Sequence, residues 1–174
     1  MLLSIILRSV SFLENEFLNF RIPSWEEIPD IGLYLNQTVT ILEDYLKPFI
    51  CNNDEKVITN TMVNNYVKMG LLEAPVNKKY KREHISCLFV LCILKQVYSI
   101  NDVRKLFDLA FRSNKSTKTA YKNFCNALEK SITAIFNHKD LPDLHSKSSS
   151  KYILKSVVTS YASKLYVAQN FLKI

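Results

Sequence analysis

Only two of the 174 residues are glycine, Gly32 and Gly70, and that scarcity constrains this chain more than any other feature. Loops that cradle phosphate need clustered glycines so that backbone N–H groups can close on the ligand. Nucleotide-binding enzymes of the Rossmann or P-loop kind are therefore excluded. The rest of the composition, 48 % hydrophobic and 22 % charged, is that of a globular protein. A chain of this length buries on the order of 70 % of its unfolded surface, enough for a core without disulfide or metal staples. Cys51, Cys87, Cys92 and Cys125 have neither zinc-ligand spacing nor a disulfide framework, and two of them sit in an apolar run. A reducing, cytoplasmic setting is expected.

Met1 to Val10 is apolar, but it is interrupted by Arg8 and lacks a basic start and a cleavage site, so it reads poorly as a signal peptide. The longest uncharged apolar run, Ile85 to Leu94, falls well short of the roughly 20 residues a membrane helix requires. No membrane association is expected.

Periodicity is helical almost throughout. Leu3, Ile6, Leu7, Val10, Leu13 and Phe17 form one stripe of a docking helix over residues 1–22. Ser24 and Glu27 have capping-box spacing, and Pro29 stops the turn they start. A helix from about Asn36 to Lys47 follows, with Val39, Leu42 and Leu46 on one side. The next is a short helix capped by Thr59, with Val63, Tyr66 and Val67 inward and Gly70 at its C-terminal turn. Glu83 to Val97 is apolar on nearly every side, which places it at the centre of its domain. Ser99 caps another helix before a hinge-like polar run, Ser113 to Thr117. Two amphipathic helices complete the chain, one through Tyr121, Phe124, Cys125, Leu128, Ile132, Ile135 and Phe136, the other through Leu154, Val157, Val158, Tyr161, Leu165, Ala168 and Leu172.

Charge is segregated along the chain. Residues 1–55 carry a net −6, residues 56–105 a net +6 and residues 106–174 a net +7. A basic half of this kind suits a polyanionic partner. The short helix at 59–69 offers Asn60, Thr61, Asn64 and Asn65, whose amides and hydroxyl can bond base edges, and Lys68, which can hold phosphate. Each alone is readily explained as solvated helix surface. Asn is, however, a poor helix former, costing about 0.5 kcal/mol relative to Ala, so an adjacent pair on an exposed face points to a task. The stretch at 77–82 adds Lys78, Lys79, Lys81 and Arg82 around Tyr80, as a wing gripping the nucleic-acid backbone would.

The order of a short helix ending Gly70-Leu71-Leu72, then Lys78-x-Tyr80, a buried helix, and Val97-Tyr98-Ser99-Ile100-Asn101-Asp102-Val103 resembles the winged helix-turn-helix of MerR-type regulators. More closely, residues 25–110 are similar to a bacterial family of unknown function placed near MerR. That similarity rests on Ile28-Pro29, Leu33 to Gln37, Ile58 to Lys68, Lys79 to His84 and Leu94 to Val97. The resemblance implies duplex DNA binding through the 59–69 helix and the wing, with Tyr66 among the contacts. Two departures stand out. Asn64 and Asn65 occupy the positions of an arginine and the first of two aromatics, and the long Pro48 to Val57 loop replaces a tight turn.

Other chemistries are weaker. His84 and Cys87 share a helical face, but two ligands do not complete a metal site, and His138, Asp140, Asp143 and His145 sit in a Pro-containing linker. No nucleophile-elbow signature occurs.

The expected fold is mainly α with a small β-wing. Residues 1–22 form the docking helix, 23–112 the winged helix-turn-helix domain, and 113–174 a helical pair for dimerisation or effector binding. The expected function is a cytoplasmic, non-enzymatic transcription regulator without cofactor or metal, binding double-stranded DNA as a homodimer. A small-molecule or protein effector would act at the C-terminal helices. Asn60, Thr61, Asn64 and Asn65 would read bases while Lys68, Lys78, Lys79, Lys81 and Arg82 hold phosphates. Five cations per protomer would give a log–log salt slope of about −9. The rival reading is a helical adaptor whose basic surface and tail helices bind an acidic protein.

Overall fold

The computed structural model describes residues 21–51, 56–140 and 149–172. The expected docking helix as far as residue 20 and the linker holding Pro142, Asp143 and His145 lie outside them, and Arg21 and Ile22 are not helical. The protein is mainly α, with one two-stranded antiparallel sheet among the described residues. The elements run β1 (Leu33–Tyr34), α1 (Leu35–Leu46), a 3₁₀ turn (Lys47–Phe49), α2 (Asn60–Lys68), β2 (Lys79–Tyr80), α3 (Arg82–Leu94), α4 (Ile100–Ser113), α5 (Thr117–Phe136), α6 (Ser149–Val167) and a π turn (Ala168–Leu172). The chain divides into two compact units. One is Ile22–Cys125, the described residues from 126 onward belong to the other, and the division falls inside α5.

In the first unit the core is built around α3, where Ile85, Leu88, Phe89, Leu91, Cys92, Ile93 and Leu94 are all buried. A helix apolar all round can be accommodated only at such a centre. Against it packs α1, through buried Thr38, Leu42 and Leu46. Complete burial of a Leu or Ile side chain stabilises by about 1.5–3 kcal/mol, so this interface positions everything attached to it. Ser24 and Glu27 make the expected turn, the Ser24 N–H donating to Glu27 Oε2 at 2.8 Å. Tyr121 of α5 reaches back to this segment and donates its hydroxyl proton to the Pro23 carbonyl at 2.7 Å.

The caps expected around α2 are present at both ends. Thr59 accepts from the Met62 N–H at 3.2 Å. At the other end Gly70 adopts φ +68°, its N–H bonds the Val67 carbonyl and the Leu71 N–H bonds the Tyr66 carbonyl, each at 2.9 Å. These two bonds are a Schellman motif, and buried Leu71 supplies its apolar contact. Ser99 likewise caps α4, accepting from the Asp102 N–H at 3.2 Å.

The corner expected as a hinge between α4 and α5 is tied to both helices. Asn114 donates to the Ala110 carbonyl and accepts from Asn123 Nδ2, each at 2.8 Å.

In the second unit, Ile132 and Phe136 of α5 and Val158, Tyr161 and Leu165 of α6 are buried. Ser131 and Thr159 exchange a hydrogen bond at 3.1 Å, and Phe136 meets Tyr166 edge-on at 5.2 Å. Leu172, expected on the buried stripe of α6, is exposed. The wider π turn that begins at Ala168 shifts the helical register and carries it off that stripe.

Candidate nucleic-acid interface

The wing is built by a tight turn and a strand partner far away in sequence. Val76 and Lys79 are bridged, the Lys79 N–H donating to the Val76 carbonyl at 3.0 Å, with Asn77 at φ 52° and Lys78 at φ 61° between them. Two successive positive φ angles make a type I′ turn, the form whose twist suits a hairpin. Asn tolerates that conformation. Lys at the second position is held there against its preference.

From this turn β2 runs antiparallel to β1, with Leu33 opposite Tyr80 and Tyr34 opposite Lys79. Leu33 and Tyr80 point into the core while Tyr34 and Lys79 point outward, and the Lys79 ammonium stands 5.5 Å from the Tyr34 ring centre. Gly32 permits the close approach, since a Cβ there would come within 2.9 Å of Lys79 Cβ.

α2 presents Asn60, Thr61, Asn64, Asn65 and Lys68 to solvent. Of these, Thr61, Asn64, Asn65 and Lys68 make no side-chain hydrogen bond or ion pair among the described residues. An open cleft of about 350 Å³ lies between this helix, the wing turn and the start of α1. Asn64, Lys78, Tyr34 and Asn36 are among its lining residues. Asn64 of the helix and Lys78 of the wing, both singled out in sequence, thus line one cleft.

Three of the expected contact residues are taken up largely by the fold. Tyr66 and Tyr80 lie in the core, 5 % and 3 % exposed, and Tyr80 also lines the cleft. Burial pushes the Tyr66 hydroxyl up to about 12 and also raises Tyr80. Arg82 turns inward at the first residue of α3. Its Nε donates to the Ile28 carbonyl at 2.8 Å, its guanidinium lies 6.0 Å from the Trp25 ring centre, and Asp30 is 3.9 Å away. The side chain is only 20 % exposed, so this cation is spent within the fold. Lys78, Lys79 and Lys81 stay exposed.

The other titratable groups nearby are structural. His84 is buried, and its Nδ1 accepts the Lys81 N–H at 3.0 Å, which closes the N-terminus of α3. Burial, with lesser contributions from Glu73 and Glu83, pushes the Cys87 thiol up to about 12, and burial raises Cys92 further still. Neither is a thiolate at neutral pH. Among the described residues no cluster of three His, Cys, Asp or Glu side chains could hold a metal, and no helix is long and apolar enough to cross a membrane.

The arrangement of turn, helix and wing falls within a stretch that matches one family model, residues 23–124. The chain belongs to the family described as domain of unknown function (DUF1836). The matched stretch runs almost to the end of the first compact unit at Cys125. No curated protein and no solved structure matches the chain.

Two features of the DUF1836 unit were not singled out from sequence. Asn36, in the first turn of α1, accepts a hydrogen bond from Asn60 Nδ2 at 2.7 Å. Arg104 of α4 donates through Nη2 to the Met69 carbonyl at the C-terminus of α2. The partners are 24 and 35 residues apart, and no local pattern announces either contact. Together they brace both ends of the helix that carries the exposed amides.

Proposed function

We propose that this protein is a MerR-like transcription regulator that binds duplex DNA, reading bases with α2 and holding phosphates with the wing. The observation that carries the reading is the shared cleft. Unpartnered Asn64 on a well-capped helix and exposed Lys78 on a strained turn line one cleft. Amide groups can make paired bonds to base edges, and a cation lining the same cleft can follow the backbone. The similarity of residues 25–110 to a bacterial family of unknown function placed near MerR supports the same assignment.

Thr61, Asn64 and Asn65, with Asn60, form the reading set. Lys68, Lys78, Lys79 and Lys81 form the phosphate set, Arg82 having been removed from it. A homodimer would then engage eight cations, giving a log–log salt slope of about −7. Dimerisation and response to an effector are assigned to the C-terminal helices.

Binding selection from a random duplex library at two salt concentrations tests the proposal. An enriched inverted repeat, its half-sites one or two helical turns apart, is the expected result. With that site in hand, Asn64→Ala relaxes one base position by roughly 1–3 kcal/mol, while Lys79→Ala weakens every sequence alike. Identical behaviour of both variants on selected and random duplex would mean that α2 reads nothing. Salt-dependent binding without an enriched site would reduce the protein to a nonspecific binder. Absence of DNA binding, together with capture of an acidic protein, would favour the adaptor reading.

A further inference from the structure

The amide pair between α1 and α2 deepens this reading, and the inference rests on it. Asn60 stands at the first position of α2 and Asn36 in the first turn of α1. Their side chains meet at 2.7 Å on an exposed surface, Asn60 donating through Nδ2 and Asn36 accepting through Oδ1. An unpartnered asparagine can present its carboxamide either way round, oxygen and nitrogen exchanged. A hydrogen bond to a neighbouring side chain instead holds the Asn60 carboxamide in place, so less side-chain freedom is lost when it meets a base. Asn60 retains its Oδ1 and its second N–H, the acceptor and donor that a bidentate contact to adenine requires.

Asn64 follows one turn later on the same helix face, and it lines the cleft together with Asn36. α1 is fixed in turn by burial of Thr38, Leu42 and Leu46. An amide held from such an element has a defined position relative to the groove.

We infer that Asn36 is a positioning residue for recognition. It holds the Asn60 carboxamide in place, so discrimination of the base facing Asn60 depends on α1 and α2 together. Asn36 need not touch DNA for this to hold.

The test compares Asn36→Ala, Asn36→Asp and Asn60→Ala in the full-length protein. Each is assayed on the selected duplex, on duplexes substituted at each position, and on random duplex. Asn60→Ala identifies the base position that it reads. At that same position Asn36→Ala lowers discrimination by about 2- to 10-fold, the net worth of one ordinary hydrogen bond, and leaves random-duplex affinity and the salt slope unchanged. Asn36→Asp keeps the acceptor, so it retains the base preference while its added negative charge weakens all duplexes alike. Retention of full discrimination by Asn36→Ala overturns the inference, as does a uniform loss on every duplex, which would mark a merely structural contact. Should the wild-type protein bind no duplex at all, the functional reading fails and this inference falls with it, an outcome distinct from binding that ignores Asn36.

Discussion

Replacing Arg82 by Ala separates the role its position in a basic run suggests from the role its contacts define. As a phosphate ligand, Arg82 would contribute to DNA affinity and little to stability. In the fold it donates to the Ile28 carbonyl at 2.8 Å, and Ile28 is 1 % exposed, so the carbonyl would lose a charge-assisted bond of about 1.5–3 kcal/mol. The guanidinium near Trp25 adds about 0.5–1 kcal/mol. Asp30 at 3.9 Å is largely exposed and adds at most about 1 kcal/mol. The variant should therefore lose about 2–5 kcal/mol. At about 4–8 °C per kcal/mol for a unit of this size, its melting temperature falls by roughly 10 °C or more. Below that temperature its DNA salt slope should equal that of the parent protein. Urea and thermal melts paired with a salt titration measure both quantities. A variant that melts like the parent while its slope becomes shallower by about 1 per protomer would refute the internal role.

Three further outcomes follow from local geometry. Lys78→Gly relieves the φ 61° strain at the wing turn, so it should stabilise the fold by about 0.5–1 kcal/mol in urea melts while weakening DNA binding at low salt. Gly70→Ala meets no neighbouring atom but keeps φ +68°, so chemical denaturation should show a loss of about 1–2 kcal/mol from backbone strain alone. Tyr66, raised by burial to about 12 from an ordinary 10.0, holds its proton in the folded state and releases it earlier when unfolded. Its contribution to stability is complete below about pH 10 and is lost as pH rises towards about 12. Denaturation at a series of alkaline pH values should show this decline, and Tyr66→Phe should make it shallower.

What could be read from sequence was local. Thr59 and Gly70 bracket α2 because their signals act within three or four residues, and α3 declares its burial through an unbroken apolar surface. The exposed amides of α2 follow from the same periodicity. Contacts that cross the fold were not legible. A cation in a basic run looks the same whether it faces solvent or a carbonyl 54 residues earlier, as Arg82 does. Tyr80 looks like part of a wing surface until β1 pairs with β2 and sets the alternation that turns its ring inward. Leu33–Tyr34 is too short for a period-2 pattern to register, and without that strand the cleft and its Asn36 are invisible.

The central claim, that α2 and the wing form a DNA-binding surface, is tested most directly by one titration. Fluorescence anisotropy of a labelled random duplex would be followed with the full-length protein over a series of salt concentrations. Tight binding at low salt, with a log–log slope of about −7 for a dimer using four exposed lysines per protomer, is the predicted result. A slope near zero, or no binding at low salt, would contradict it.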